Sequence, residues 1–189
     1  MADSTVAYKY LCLPASIESL LRYKGYKQLS QIEIANSLGV TFPDDYLQDQ
    51  ICNYAFSSTP YTWGVRPDPQ AISKMLQDYS INLSCRFYHS SEYEDWSFEN
   101  SVQQASNAGD GIILCFDYRL FSLKEASSFG HAALLLGYEG DGFRGRLSVF
   151  DPGPEDYGVK QVRAEEMFLS MRSINGGWLH FFPTHTLQI

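Results

Sequence analysis

Three residues of this chain have side chains that together could carry out nucleophilic catalysis. Cys12 opens an apolar helical segment, and His131 and Asp151 lie on two consecutive segments of strand-like composition. A cysteine at a helix start meets the positive end of the helix dipole and unpaired backbone N–H groups, which favour the thiolate and lower the thiol pKa. We therefore expect Cys12 to be a nucleophile, His131 to exchange its proton and Asp151 to orient the imidazole ring.

Each of the three residues also has a structural alternative. A free cysteine packs readily as a small apolar residue at a helix start, and a strand histidine is often satisfied by a neighbouring carbonyl group. Asp151 precedes Pro152 and Gly153, and this combination is common in turns. The sequence favours catalysis over these alternatives because three independent features coincide.

The composition indicates a globular chain with one substantial core. It has 189 residues, of which 44% are hydrophobic, and we expect a single domain over residues 1–189. Its 22 acidic and 14 basic residues give a net charge of −8, without a dense cluster of Lys and Arg. Nucleic acid is not an expected partner, because phosphate binding needs concentrated positive charge. The sequence leaves the oligomeric state open.

Membrane segments, secretory signals and metal-binding motifs are not indicated. No segment reaches the ~20 apolar residues that a membrane span needs, and the first residues lack the basic and apolar segments of a secretory signal. We expect a cytoplasmic protein, or one exported by a route independent of a signal peptide. The four cysteines, Cys12, Cys52, Cys85 and Cys115, are widely separated and form no CxxC pair. They predict neither a metal site nor a disulfide framework, and no cofactor is implied.

Helices precede strands along the chain. Ile17, Leu20 and Leu21 repeat at helical spacing, and Ser30 with Glu33 forms a capping-box pattern before a second helix. Helices first and an antiparallel sheet later predict an α+β fold, in which the nucleophile comes from the helical part and the base from the sheet. The further predicted elements are helices from Asp68 to Asp78, from Ser97 to Ala108 and over residues 164–172, and strands over residues 81–89, 111–118, 131–139, 146–152 and 178–183.

A long segment over residues 41–67 lacks a clear helix or strand pattern. It is rich in Pro, Asp, Ser and aromatic residues, and it is apolar enough to be ordered. Segments of this length in compact domains tend to be functional. We expect it to shape a substrate groove, with Trp63 and Tyr61 as candidate lining residues, although aromatic side chains anchor loops by packing just as often.

Two long segments carry a resemblance to a known family. CLPASIESLLRYKGYKQLSQIEIANSLGV resembles the start of papain-like cysteine peptidases of the C39-like group, in which a CGPAS-type helix precedes a capped second helix. GHAALLLGYEGDGFRGRLSVFDPGPEDYGVKQVRAEEMF is similar to that group's histidine strand, Gly-Tyr turn and Asp-Pro-ended strand. The resemblance implies a papain-like fold and a peptide or protein substrate. It also implies Cys12 as nucleophile, His131 as base and acid, and Asp151 as the orienting group.

Two positions depart from the pattern of this group. Val6 stands where the group usually has a Gln whose side chain donates a hydrogen bond to the oxyanion, and Leu13 stands where Gly usually follows the cysteine. An oxyanion donor is commonly worth ~3 kcal/mol in rate. A peptidase of this sequence would need a substitute from backbone N–H groups or from Thr5, Tyr8 or Tyr10.

The expected function is hydrolysis of a peptide or isopeptide bond through a thioester on Cys12. The first alternative is transfer of the acyl group to an amine or alcohol, as in butirosin-type acyltransferases, which resemble this chain and tolerate the missing Gln better. The second alternative is a non-catalytic module that keeps the fold and binds a peptide or protein in the cleft. Val6 and Leu13 favour the binding module.

Overall fold

The computed structural model describes residue 7 and residues 11–40, 65–118, 130–140, 144–153 and 157–184, with side chains 95–97 left out. This part of the chain contains five α-helices and one six-stranded antiparallel sheet, so the α+β prediction of N-terminal helices followed by an antiparallel sheet is confirmed. The elements are α1 (Cys12–Tyr23), α2 (Gln31–Leu38), α3 (Pro69–Asp78), β1 (Leu83–His89), α4 (Asp95–Ala108), β2 (Gly111–Asp117), β3 (Gly130–Glu139), β4 (Arg146–Asp151), β5 (Gly158–Arg163), α5 (Ala164–Ser173) and β6 (Gly177–Pro183).

The first two helices form a pair that is fixed by a buried carboxylate. The predicted capping box begins α2: Ser30 Oγ accepts from the Glu33 N–H, and the Glu33 carboxylate accepts from the Ser30 N–H at 2.8 Å. Glu18 of α1 is 2% exposed and accepts hydrogen bonds from the Gln31 N–H at 3.0 Å and from Arg22 at 2.5 Å. A buried charge needs such partners, and here they attach the start of α2 to α1.

The sheet has the strand order β1-β6-β2-β3-β4-β5, and helices cover both of its faces. Alternate residues of a strand point to opposite faces, and those of β2 belong to two separate apolar clusters. Helices α1 and α3 pack on one face, chiefly against β3 and β1, whereas α4 and α5 pack on the other. This packing places the N-terminus of α1 against the beginning of β3.

Two features of the fold differ from the sequence-based expectation. Helix α4 does not begin at Ser97: Glu94 has the extended backbone of an N-cap residue, and the Phe98 N–H bonds to its carbonyl at 3.4 Å. Phe98, in the first turn of this helix, is fully buried. Strand β5 was not predicted, because its alternating exposed residues make it an edge strand with little apolar signal.

A membrane span is not found among the helices of the described residues. None of these helices is both long enough and apolar enough to cross a bilayer.

Candidate active site

Cys12, His131 and Asp151 lie together where α1 meets the beginning of β3. Cys12 is the first residue of α1, His131 is the second residue of β3, and Asp151 is the last residue of β4, which pairs with β3. Residues far apart in the sequence are thus brought to one end of the sheet, on the side where α1 begins.

Both oxygens of the Asp151 carboxylate have interaction partners. Asp151 Oδ1 lies 2.8 Å from His131 Nε2 and also accepts a hydrogen bond from the Gly153 N–H at 2.8 Å. Asp151 Oδ2 faces the Lys160 ammonium group at 3.7 Å. The side chain of Asp151 is 2% exposed and that of His131 is 10% exposed, so this pair is well shielded from water.

The pKa of Asp151 reflects this environment. Burial alone would raise its pKa, but the hydrogen bond and charge of His131, the Gly153 N–H and the Lys160 charge outweigh burial and lower the pKa below its ordinary value. Asp151 is therefore ionised at neutral pH, and His131 Nε2 is the donor in the hydrogen bond between them.

The imidazole ring of His131 contacts two aromatic rings and faces Cys12. Phe116 and Tyr118 make edge contacts with it, at ring-centroid distances of 5.5 Å and 5.0 Å. The His131 ring also hydrogen bonds with the Cys12 side chain. Since Nε2 is bound to Asp151, Nδ1 is the nitrogen that hydrogen bonds with the Cys12 sulfur.

The pKa shifts of Cys12 and His131 each favour the charged form of the group. Burial would raise the pKa of Cys12, but the hydrogen bond and charge of His131 and the N–H groups of Ala132 and Leu13 outweigh it and lower the pKa. Burial would lower the pKa of His131, but hydrogen bonds and charges from Asp151 and Cys12 outweigh it and raise the pKa to about 10. The two groups favour a thiolate–imidazolium pair at neutral pH.

The start of α1 supplies backbone donors at the sulfur. No side chain caps this helix, and its third residue, Pro14, has no N–H. The N–H groups of Cys12 and Leu13 are therefore the donors of the first turn, and that of Leu13 binds the sulfur. The Leu13 side chain is buried in the apolar cluster beneath α1, so the departure from Gly leaves the backbone donor in place.

Several residues named in the sequence analysis lie outside the described residues. Ala7, which follows Val6, is described, and its N–H donates to the Pro152 carbonyl at 2.7 Å. The chain ahead of Cys12 is thus attached to the turn after Asp151. The residues outside the description are Val6, the alternative oxyanion donors Thr5, Tyr8 and Tyr10, and the candidate groove residues Tyr61 and Trp63.

The other described cysteines have the surroundings of structural residues. Cys85 and Cys115 are buried, and burial raises the pKa of both thiols well above the ordinary range. Among the residues that the structure describes, no cluster of three or more His, Cys, Asp or Glu side chains could hold a metal ion. Cys12 is thus the described thiol with a lowered pKa.

Comparison with known families agrees with this architecture. The sequence model of the peptidase C39-like family matches residues 2–174. The chain belongs to the peptidase C39-like family. The fold is also similar to a crystal structure from Bacillus anthracis of a protein proposed to be a C39-like peptidase, with a TM-score of 0.60, 13% sequence identity and 96% of each chain covered. No match was found among curated proteins.

In this C39-like family member, three residues at the site were missed by the sequence analysis. Gly153 packs closely on the pair: a Cβ there would lie 3.0 Å from Asp151 Oδ1 and 3.4 Å from His131 Cε1, so these side chains would have to move by a few tenths of an ångström. Lys160 belongs to the unpredicted strand β5, whereas Ser16 follows Cys12 by one helical turn and binds β3. For Ser16 the sequence did offer a signal, since it lies at helical spacing from Cys12 and ends the CLPAS segment.

Proposed function

We propose that this protein is a cysteine peptidase-type hydrolase that cleaves a peptide or isopeptide bond, with Cys12 as nucleophile, His131 as base and acid, and Asp151 as the orienting group. The observation that carries the proposal is the continuous chain of hydrogen bonds from Cys12 through His131 to Asp151. Family membership supports this general class of activity.

The first half of the reaction forms a thioester on Cys12. The thiolate electron pair makes the bond to the substrate carbonyl carbon, and the carbonyl π electrons move to the oxygen. The Cys12 N–H, at the uncapped start of α1, donates to this oxyanion in place of a side-chain amide. When the carbon–nitrogen bond breaks, His131 Nδ1 gives its proton to the leaving amine.

The second half releases the acid product. Water attacks the thioester while neutral His131 takes a proton from it, and the sulfur leaves as a thiolate that pairs again with the imidazolium. Asp151 keeps its hydrogen bond to Nε2 throughout, so the ring presents Nδ1 at each step. An amine or alcohol in place of water would give acyl transfer by the same steps.

The pH dependence of Cys12 alkylation tests the proposed pair. Iodoacetamide should modify Cys12 of the native protein with a midpoint well below that of a free thiol, about 8.5. In His131→Ala the midpoint should rise towards the free-thiol value, because the imidazolium that stabilises the thiolate is gone. Mass spectrometry of the Cys12 peptide measures both profiles.

His180→Ala is the matched control. His180 also binds a carboxylate, Asp110, at 2.8 Å, but it lies on β6. Its substitution should leave the Cys12 midpoint unchanged. A native midpoint equal to that of a free thiol, unaffected by His131→Ala, would contradict the proposal and favour a module that only binds a peptide or protein.

The fate of a thioester on Cys12 then distinguishes hydrolysis from acyl transfer. Incubation with an activated peptide ester should give a mass increase on Cys12 that disappears in water, as hydrolysis requires. A product that appears only when an amine is added, with negligible turnover in water, would assign acyl transfer instead.

A further inference from the structure

The first residues of β3 extend beyond the end of β4. The pairing of these strands runs from Leu134 opposite Phe150 to Glu139 opposite Arg146. Ala132 lies ahead of this paired region, and its neighbour on the other side is Cys115 of β2. The backbone of Ala132 is therefore accessible to α1, which packs against β3.

Two side chains of α1 bind the backbone of this one residue. The sulfur of Cys12 accepts from the Ala132 N–H, and Ser16 Oγ donates to the Ala132 carbonyl oxygen at 3.2 Å. Cys12 and Ser16 are four residues apart, so they lie on the same side of the helix one turn from each other. Together they attach α1 to β3 at both polar groups of Ala132.

The position of this attachment bears directly on the site. Ala132 follows His131, so any sliding of α1 along β3 changes the separation between the Cys12 sulfur and the imidazole. Ser16 is fully buried and its hydrogen bond spans 116 residues of sequence. Breaking this buried hydrogen bond is costly in free energy, because it would leave the Ala132 carbonyl without the Ser16 donor.

We propose that Ser16 is a positioning residue, which sets the distance between the Cys12 sulfur and His131 by binding the Ala132 carbonyl. The inference rests on the proposed function, since it concerns how the Cys12–His131 pair is held. Without the hydroxyl, α1 keeps its apolar contacts with the sheet but loses one of its two polar attachments to Ala132. The hydrogen bond between Cys12 and His131 then lengthens, and the thiolate is stabilised less.

The test compares Ser16→Ala with Ser90→Ala. Ser90 is also fully buried, and its Oγ donates to a backbone carbonyl, that of Gly176, at 2.8 Å; it follows β1, which β6 and β2 separate from β3. Alanine is smaller than serine and favours helices, so Ser16→Ala is expected to fold. Both variants should lower the melting temperature, since each loses one buried hydrogen bond.

Only Ser16→Ala should change the chemistry of Cys12. Its alkylation midpoint should rise by about half a pH unit or more, which corresponds to about a threefold fall in alkylation rate at pH values well below the midpoint. Ser90→Ala should keep the native midpoint. Equal losses of thermal stability with both midpoints unchanged would overturn the role assigned to Ser16 and leave the proposed function intact. A free-thiol midpoint in the unmodified protein would overturn the proposed function itself, and the positioning role with it.

Discussion

Asp151 is the residue on which the charge state of the site depends. It brings together the imidazole of β3, the backbone of the turn at Gly153 and the ammonium group of Lys160. Each of these contacts lowers the pKa of Asp151, and the resulting negative charge in turn raises the pKa of His131. Together with Cys12, this buried carboxylate keeps the imidazole protonated far above its ordinary range.

Replacement of Asp151 by Asn should lower the pKa of His131. The aspartate charge opposes the effect of burial, so a neutral amide leaves mainly the hydrogen bond and charge of Cys12 against burial, and the pKa of His131 should fall from about 10 by about one to three units. The imidazolium would then be lost as the pH rises through this lower value. Titration of the ¹³C-labelled His131 ring by NMR measures the change.

Asp110→Asn provides the control for this experiment. It removes a carboxylate from an equivalent 2.8 Å contact with a different histidine, His180, and should leave the His131 titration as it is. A His131 titration near pH 10 in Asp151→Asn would show that the carboxylate does not maintain the imidazolium.

Residue types predicted the three candidate catalytic residues better than the residues that position them. Cys12, His131 and Asp151 could be chosen because a thiol, an imidazole and a carboxylate have recognisable chemistry, and the structure brings them together. Ser16 contributes a hydroxyl, and Gly153 contributes the space left by a missing side chain. Serine and glycine are both frequent at positions without a functional role. Their roles depend on which backbone they meet, which a single sequence does not specify.

At the scale of elements, strong local signals predicted most of the fold. Ser30 with Glu33 begins α2, and Asp68 with Pro69 begins α3, because these residues satisfy the first N–H groups of a helix without help from distant parts of the chain. Strand β5 has no such signal, because an edge strand is defined by the neighbour with which it pairs.

A glycine in β6 should be essential to the attachment of β1. A Cβ at Gly177 would lie 1.9 Å from the Tyr88 carbonyl oxygen, and a backbone atom cannot move aside as a flexible side chain does. Gly177→Ala should therefore reduce the free energy of unfolding by about 2 to 3 kcal/mol, typical of overpacking. Denaturant unfolding measures this loss.

Gly137→Ala is the matched substitution within the same sheet. Gly137 lies in β3, and a Cβ there would meet no atom within 4 Å. Its stability should stay close to that of the native protein. Equal stability of the two variants would show that β1 and β6 can separate locally at little cost.

Across the whole molecule, thiol labelling should report on unfolding as well as on the site. Cys12 is partly exposed with a lowered pKa, whereas Cys85 and Cys115 are buried with raised pKa values. At neutral pH, iodoacetamide should modify Cys12 in the native protein and the two buried thiols only after denaturation. Peptide mapping by mass spectrometry distinguishes the sites. Labelling of Cys115 without denaturant would show that α1 lifts from the sheet, because Cys12 and Cys115 belong to the same cluster beneath it.

The strand order has a consequence for synthesis on the ribosome. Strand β6 lies between β1 and β2, although it is the last of the described strands to be translated. A nascent chain that ends before Gly177 can pair β2 with β3, but among the described strands it leaves β1 without a partner and one edge of β2 open. Open edges invite pairing with other chains. The growing polypeptide therefore remains vulnerable to aggregation until β6 has left the exit tunnel.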